Sequence, residues 1–479
     1  MIQDFLAVIF QSVPFILALA LGLLVPLIAV FAGVLAEKWS DSSKIAVILS
    51  ALVIGNAISV MLTGRTLHSE QELLLNSQLG MDVEQGRAAW AGRLTAGTIL
   101  FVSAGEILRW VTGKRSMTAV AKQLWWAFLA FYMASYWVGV VFATSREIQM
   151  SWVYAPVAFT ALALMAPTGY KEAMLKVEWV LLAVLGASLL GAVFVPDITV
   201  QRGYSSWLPG FSIRLYGFAE HANSLGIIAA LAVIMELSPF VRKRVNPLYF
   251  AIAAVALLLT QSKTSYMVAV AGVAFVRFED LRSRFDVKAP GKFISTLIAG
   301  STFLIAAGLI VFLVFANTGK LDRFLSFSEA ITFTGRTRIW QITWNDFMDN
   351  PIFGYGPAIW DLKYRYEHNF MAAGQAHNQV FQTLGQAGLI GLATLLWYVY
   401  LMGRNCLQSW RATSGLAAIA FLGLLIRCFS ESPMRLSGLN GMDAFVHLLA
   451  FTFAASSVVV AAERKASVPV VGRRNVSGS

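Results

Sequence analysis

The chain has 479 residues, 57% of them hydrophobic and only 13% charged. A soluble domain carries about a quarter charged residues, so this balance excludes an ordinary soluble enzyme and makes lipid the solvent. The formal net charge of +11 is no signal for nucleic acid, because the basic residues fall in short loops between apolar runs, where they set topology.

The chain opens Met1-Ile2-Gln3-Asp4, without a basic stretch, so the first apolar run reads as a span and not as a cleaved signal. Runs of the length that crosses a bilayer core predict spans at 12–36, 44–62, 88–110, 121–143, 150–166, 175–196, 215–236, 247–262, 264–278, 293–316, 387–403, 412–429 and 442–462. The expected fold is an all-α polytopic integral membrane protein of about 12–13 transmembrane helices with one large outer loop containing short helices. Transmembrane helices fill 1–316, the loop occupies 317–386, further spans fill 387–462, and a basic tail follows at 463–479. With that tail (Arg464, Lys465, Arg473, Arg474) in the cytoplasm, alternation puts Lys114/Arg115, Arg242-Lys243-Arg244 and Arg277/Arg282/Arg284 on the same side. This is the expected bias of basic loops, and it leaves 63–87, 197–214 and the long loop outside.

Along the chain, Arg93, Lys263 and Arg427 fall inside predicted spans, where a charge is costly and wants a partner or a polar cavity. Arg93 is expected to snorkel, and Glu431, one helical turn after Arg427, is expected to pair with it. Lys263 sits in the polar cluster Thr260-Gln261-Ser262-Lys263-Thr264-Ser265 with no acidic neighbour in sequence, and a lone buried ammonium there wants an anion such as a lipid phosphate or pyrophosphate. Arg214 and the stretch from Tyr216 to Asn223, including His221, form a polar mouth to the next span; a helix cap and a site are equal readings of it. Cys406 and Cys428 have no disulfide or metal-ligand pattern and read as small core residues.

The loop is rich in aromatics: Trp340, Trp344, Tyr355, Trp360, Tyr364, Tyr366 and Phe370. Arg336, Trp340, Trp344 and Phe347 recur at helical spacing before Asp349-Asn350-Pro351 ends the helix, which suits the membrane interface. Arg336 and Arg338 would hold a phosphate, or lipid headgroups, between them. Of the histidines, His68 and His447 lack polar company, whereas His368 and His377 each precede an asparagine. His377 stands before a predicted helix start at Gln379, a setting that favours neutral imidazole able to accept a proton. There is neither a Gly-rich phosphate-cradling loop nor a paired-aspartate motif outside the membrane, so neither ATP nor a divalent metal is expected.

The strings GRTRIW from 335, Asn350-Pro351-Ile352-Phe353-Gly354-Tyr355-Gly356, Ala376-His377-Asn378, and LGQAGLIG to 391 resemble, in order and spacing, the signature loop of the O-antigen ligase / Wzy polymerase superfamily. Arg214 with GFAEHANSLG, and the QSKTS segment, resemble two upstream motifs of the same family. The resemblance implies a GT-C-like, metal-independent, inverting glycosyltransferase of the bacterial inner membrane, without cofactor. It would move a glycan from an undecaprenyl pyrophosphate carrier to an acceptor hydroxyl of a glycan or glycolipid on the periplasmic face, among membrane lipids and other polysaccharide-assembly proteins. His377 would then be the general base. Arg214, Lys263, Arg336 and Arg338 would bind the pyrophosphate, with His221, Asn223, Trp340, Tyr355 and Asn378 as substrate contacts. Where the family often has arginine, this chain has Lys263, which keeps the charge but loses the planar fork. An exopolysaccharide or O-antigen polymerase is favoured over a ligase to lipid A-core. A multispan transporter is the rival from another class, although no internal repeat supports it; an assembly scaffold would leave the convergent basic groups unexplained.

Overall fold

The computed structural model describes residues 38–63, 65, 67, 81–204, 212–284, 336–370, 373–436, 438, 439 and 441–457. The spans expected at 12–36 and 293–316, the first part of the loop, His68 and the basic tail lie outside them.

The described residues are all-α apart from one small hairpin, as the composition demands. Helix α1 is Asp41–Thr63, α2 Met81–Val111, and α3 Ala119–Tyr132, which continues through a π turn to Phe142. Next come α4 (Tyr154–Phe194), a short antiparallel ribbon of β1 (Val200–Arg202) and β2 (Ile213–Leu215), α5 (Ala222–Leu237), α6 (Pro247–Thr260) and α7 (Lys263–Arg284). The loop contributes α8 (Arg336–Asp349) and α9 (Leu362–Glu367), and the chain returns through α10 (Gln379–Gln408), α11 (Leu416–Ser430) and α12 (Gly441–Ala455). Five stretches are long and apolar enough to cross a membrane, and α5, α6, α11 and α12 are shorter apolar helices. The protein is a polytopic membrane protein.

One expectation changes form. The spans at 150–166 and 175–196 are a single hydrogen-bonded helix, the 41-residue α4 with Pro167 inside it. Run straight, it would reach about 60 Å, twice the hydrocarbon core. It does not run straight. Tyr154 near its start lines a cavity with Glu220, and Ser188 near its end accepts the Phe218 N–H at 3.1 Å. Both ends therefore meet the segment 217–220, while Thr168 in the middle bonds Asp41 at the start of α1. The helix doubles back near Pro167, where a backbone hydrogen bond is missing. Both expected passes exist, and the loop between them does not.

In lipid, packing and small residues hold helices together, because the tails are as apolar as leucine. Gly55 of α1 shows this: a Cβ there would lie 1.8 Å from the Thr95 hydroxyl of α2, so no larger residue fits the crossing. Where α3, α4, α10 and α12 meet, Phe128 stacks on Phe159 at 3.9 Å and both reach Phe451. His447, expected to lack polar company, is buried in this core 2.9 Å from the Tyr398 hydroxyl.

Charges gather at the two ends of the bundle. At the Asp41 end, Arg115 holds Asp41 at 2.5 Å and Glu106 at 3.3 Å, and Lys44 holds Glu106 at 2.5 Å. Beside them, Arg242 meets Glu178 at 2.8 Å and Glu236 at 2.9 Å, both carboxylates fully buried. These acids are tied in ion pairs that pin helix ends together. The other end carries β1–β2, the starts of α5, α7 and α12, the end of α11 and the loop helices, and there the candidate residues meet.

Candidate functional site

The site is built around a turn. Asn378 caps α10, its side chain accepting from Val380 and Phe381 N–H at 2.9 and 3.2 Å. His377 is thus the residue before the cap, with φ of 50°, a left-handed setting that costs a non-glycine residue energy and is held only when its surroundings impose it. Here they do. Ala376 donates its N–H to Gln382 at 2.9 Å, and its carbonyl accepts from the Trp340 indole at 2.9 Å, with Trp340 stacked flat on Phe381. Nine residues into α10 the helix breaks at Gly388 (φ 59°, ψ −153°), where any Cβ would strike the Ile352 carbonyl at 2.4 Å. The segment 379–387 therefore belongs to the site, and the membrane pass begins at the break, one residue from its expected start at 387.

Across from the turn stands the residue that sequence reasoning misassigned. Glu431 was expected to pair with Arg427. Instead, Arg427 turns to Asp443 and to the Asn223 carbonyl, while Glu431 caps the end of α11 and faces the loop. Its carboxylate lies 2.8 Å from Nδ1 of His377, accepts from Gln375 at 2.8 Å and from Asn223 at 3.2 Å, and meets Arg336 at 3.8 Å. Burial alone would raise the Glu431 carboxyl, but the bond to His377 and the charges of His377, Arg427 and Arg336 outweigh it and hold it at about 2. A carboxylate only accepts, so Nδ1 carries the proton and Nε2 keeps its lone pair. His377 is 28% exposed and Glu431 7%, so the ring reaches solvent from an anchored base. Two further bonds zip this wall shut, Ser432 N–H to Gln375 and Met434 N–H to Gln379, both at 2.9 Å.

Asn223 extends the network. Its amide donates to Glu431 and its carbonyl oxygen accepts from Arg214 at 2.9 Å; the flipped amide would set like against like at both contacts. Arg214, on β2, is buried, bonds the Thr260 carbonyl at 3.0 Å, and lies over the rings of Tyr204 and Tyr216. Three residues beyond Thr260, Lys263 opens α7. Its cluster is buried, as Thr260, Gln261, Ser262 and Ser265 show, but the ammonium itself is exposed, contrary to the buried lysine expected. The reason is the turn: Gln261, left-handed at φ 50°, ends α6 and swings Lys263 outward.

The two loop arginines part company. Two positions apart on a helix is about 200° around it, so Arg336 faces Glu431 while Arg338 lies over the Phe370 ring at 5.2 Å. They do not share one anion. Trp340 and Tyr355, expected against substrate, brace the loop; Tyr355 donates its N–H to Gly385 and packs edge-on against Tyr364. Asn378 is a cap. His221 caps α5, its Nδ1 accepting the Asn223 N–H at 3.1 Å. Burial and the nearby Arg214 push it down to about 3, so it is neutral. His368 is separated from all of this, its ring stacked on Tyr364 and its Nδ1 2.9 Å from the Tyr364 carbonyl.

The arrangement presents a carboxylate-anchored imidazole beside two guanidinium groups, and it can take a proton at Nε2 while stabilising negative charge nearby. Residues 248–396 match the Wzy_C family model, described as O-antigen ligase, and the motifs read at 335–391 and the QSKTS segment fall inside that match. Comparison with curated proteins gave no match.

Proposed function

We propose that this membrane protein, whose residues 248–396 carry an O-antigen ligase domain, transfers a glycan from a polyprenyl pyrophosphate to an acceptor hydroxyl at the outer face of the bacterial inner membrane. The observation that carries the reading is His377 Nδ1 held at 2.8 Å by Glu431, with Arg336 and, through Asn223, Arg214 on the same carboxylate. In the reaction, Nε2 of His377 removes the proton from the acceptor hydroxyl as its oxygen attacks the anomeric carbon. The bond from that carbon to the pyrophosphate breaks, and its electron pair leaves on the phosphate oxygen. Arg336 and Arg214 stabilise the charge developing there, with Lys263 reaching in from the start of α7. Attack opposite the leaving group inverts the anomeric centre. Glu431 holds the ring in the proton-accepting tautomer and stabilises the imidazolium that forms, as the carboxylate of a catalytic triad does. No step draws on a metal or a cofactor. The order and spacing of the loop motifs favour an exopolysaccharide or O-antigen polymerase over a ligase acting on lipid A-core.

The test is transfer by the purified full-length protein from a lipid-pyrophosphate glycan extracted from its host. The expected products are an extended glycan and free polyprenyl pyrophosphate in equal amounts, made in the presence of a chelator. Release of monophosphate, or no transfer, would refute the reading.

A further inference from the structure

Behind the His377 site lies a second chamber. It is a cavity of about 300 Å³ lined by Asn56, Ser59, Arg93, Ser151, Tyr154 and Glu220. Glu220 is accessible yet so enclosed that burial, with the charge of Asp443, pushes its carboxyl up. An accessible side chain surrounded by protein lines an interior space. One carboxylate oxygen is fixed by the Asn56 amide at 2.7 Å. The other faces Gly441 (φ +84°), where a Cβ would stand 3.4 Å away and cover it. Arg93, expected to snorkel from a helix end, stands well inside α2 and turns to this cavity.

The chamber adjoins the reaction centre. Glu220 precedes His221, whose charge state answers to Arg214, Glu431 and His377. Arg427 and Asp443 form the partition: Arg427 holds the Asn223 carbonyl on one side, and Asp443 acts on Glu220 on the other. The two spaces differ in charge. The His377 side gathers Arg214 and Arg336, which suits a pyrophosphate, whereas the chamber sets one carboxylate against one guanidinium and offers an amide and two serine hydroxyls. A hydroxyl-rich neutral ligand matches that lining, and the volume is that of a small-molecule site at the low end of the usual range.

We propose that this chamber holds the terminal sugar of the acceptor glycan, its neighbouring ring hydroxyls donating to Glu220 so that a further hydroxyl is presented to His377. The proposal rests on the transferase reading above and assigns acceptor recognition, as distinct from donor binding, to Glu220.

The test varies donor lipid and acceptor glycolipid separately, both extracted from the host, with purified full-length protein. Glu220→Gln keeps the shape and loses the charge-assisted acceptance; the acceptor KM is expected to rise about tenfold or more, with the donor KM within about twofold. Ser59→Ala, a milder change to the same wall, should move the acceptor KM in the same direction by about threefold. A rise in the donor KM alone, or a fall in kcat with neither KM moved, would overturn the assignment and leave the transferase reading intact. Absence of transfer by the wild-type protein would overturn both.

Discussion

His377 and Glu431 lie 54 positions apart in the chain, yet the imidazole Nδ1 and the carboxylate meet at 2.8 Å. The contact joins the loop to the end of a membrane helix and sets which ring nitrogen is free. Removing the ring removes the base, a loss worth about two to four orders of magnitude in rate. His377→Ala should abolish detectable polymer and let lipid-linked glycan accumulate. His368→Ala should be mild, since that ring bonds only its own helix backbone. Extracts of the two variants at matched expression decide it, and the reverse pattern would refute the assignment.

Glu431→Gln retains the size of the side chain but lets Nδ1 act as acceptor, releasing the tautomer. Transfer should fall by about 10²-fold or more in kcat, with KM for the donor little changed. The same variant has a pH signature. Glu431 is held at about 2 against an ordinary 4.5, so the folded form binds fewer protons than the unfolded one. Its contribution to stability is complete above that ordinary value and is lost as pH falls toward about 2. The melting difference between wild type and Glu431→Gln in detergent should be flat near neutrality and shrink below about pH 4.5.

Arg336 and Arg338 make a matched pair for testing charge. Arg336→Ala should cut transfer sharply and Arg338→Ala should not, because only Arg336 faces the carboxylate network. Lys263→Ala should also cut transfer, with Lys263→Arg retaining it. Equal losses at 336 and 338 would show that the loop arginines act as a surface patch.

At the opposite end, Arg242→Ala leaves Glu178 and Glu236 buried without their shared cation. Breaking such a group costs about 3–5 kcal/mol, so the variant should melt well below wild type while any protein that remains folded keeps its donor KM.

A reporter active only in the periplasm should be active when fused at Asp361, beside the site through its bond from Arg435, and silent when fused after Lys243, next to Arg242.

Much of this was legible in the chain. Apolar run lengths marked the passes, Asn350-Pro351 marked the end of α8, and the turn before Gln379 distinguished His377 from His368. What the sequence hid was pairing at a distance. Glu431 follows Arg427 by one turn, and local spacing made them partners. A third residue, Asp443, took the arginine and freed the carboxylate for the loop. Periodicity likewise suggested a shared anion for Arg336 and Arg338, although a two-residue step turns them apart. Pro167 was visible in the sequence, but that α4 would reverse without a loop depends on Asp41 and Phe218, which hold its middle and its end.

Asn223 has a consequence for how such a protein diverges. Its single amide ties the guanidinium of Arg214 to the carboxylate that sets His377, so the group that receives the leaving phosphate and the group that primes the nucleophile are in register with each other. Altering either alone misaligns the other, and compensating changes would have to arrive together. The chamber beside Glu220 carries no such tie, and a lineage adapting to a different sugar can vary there while the seam at Asn223 stays as it is.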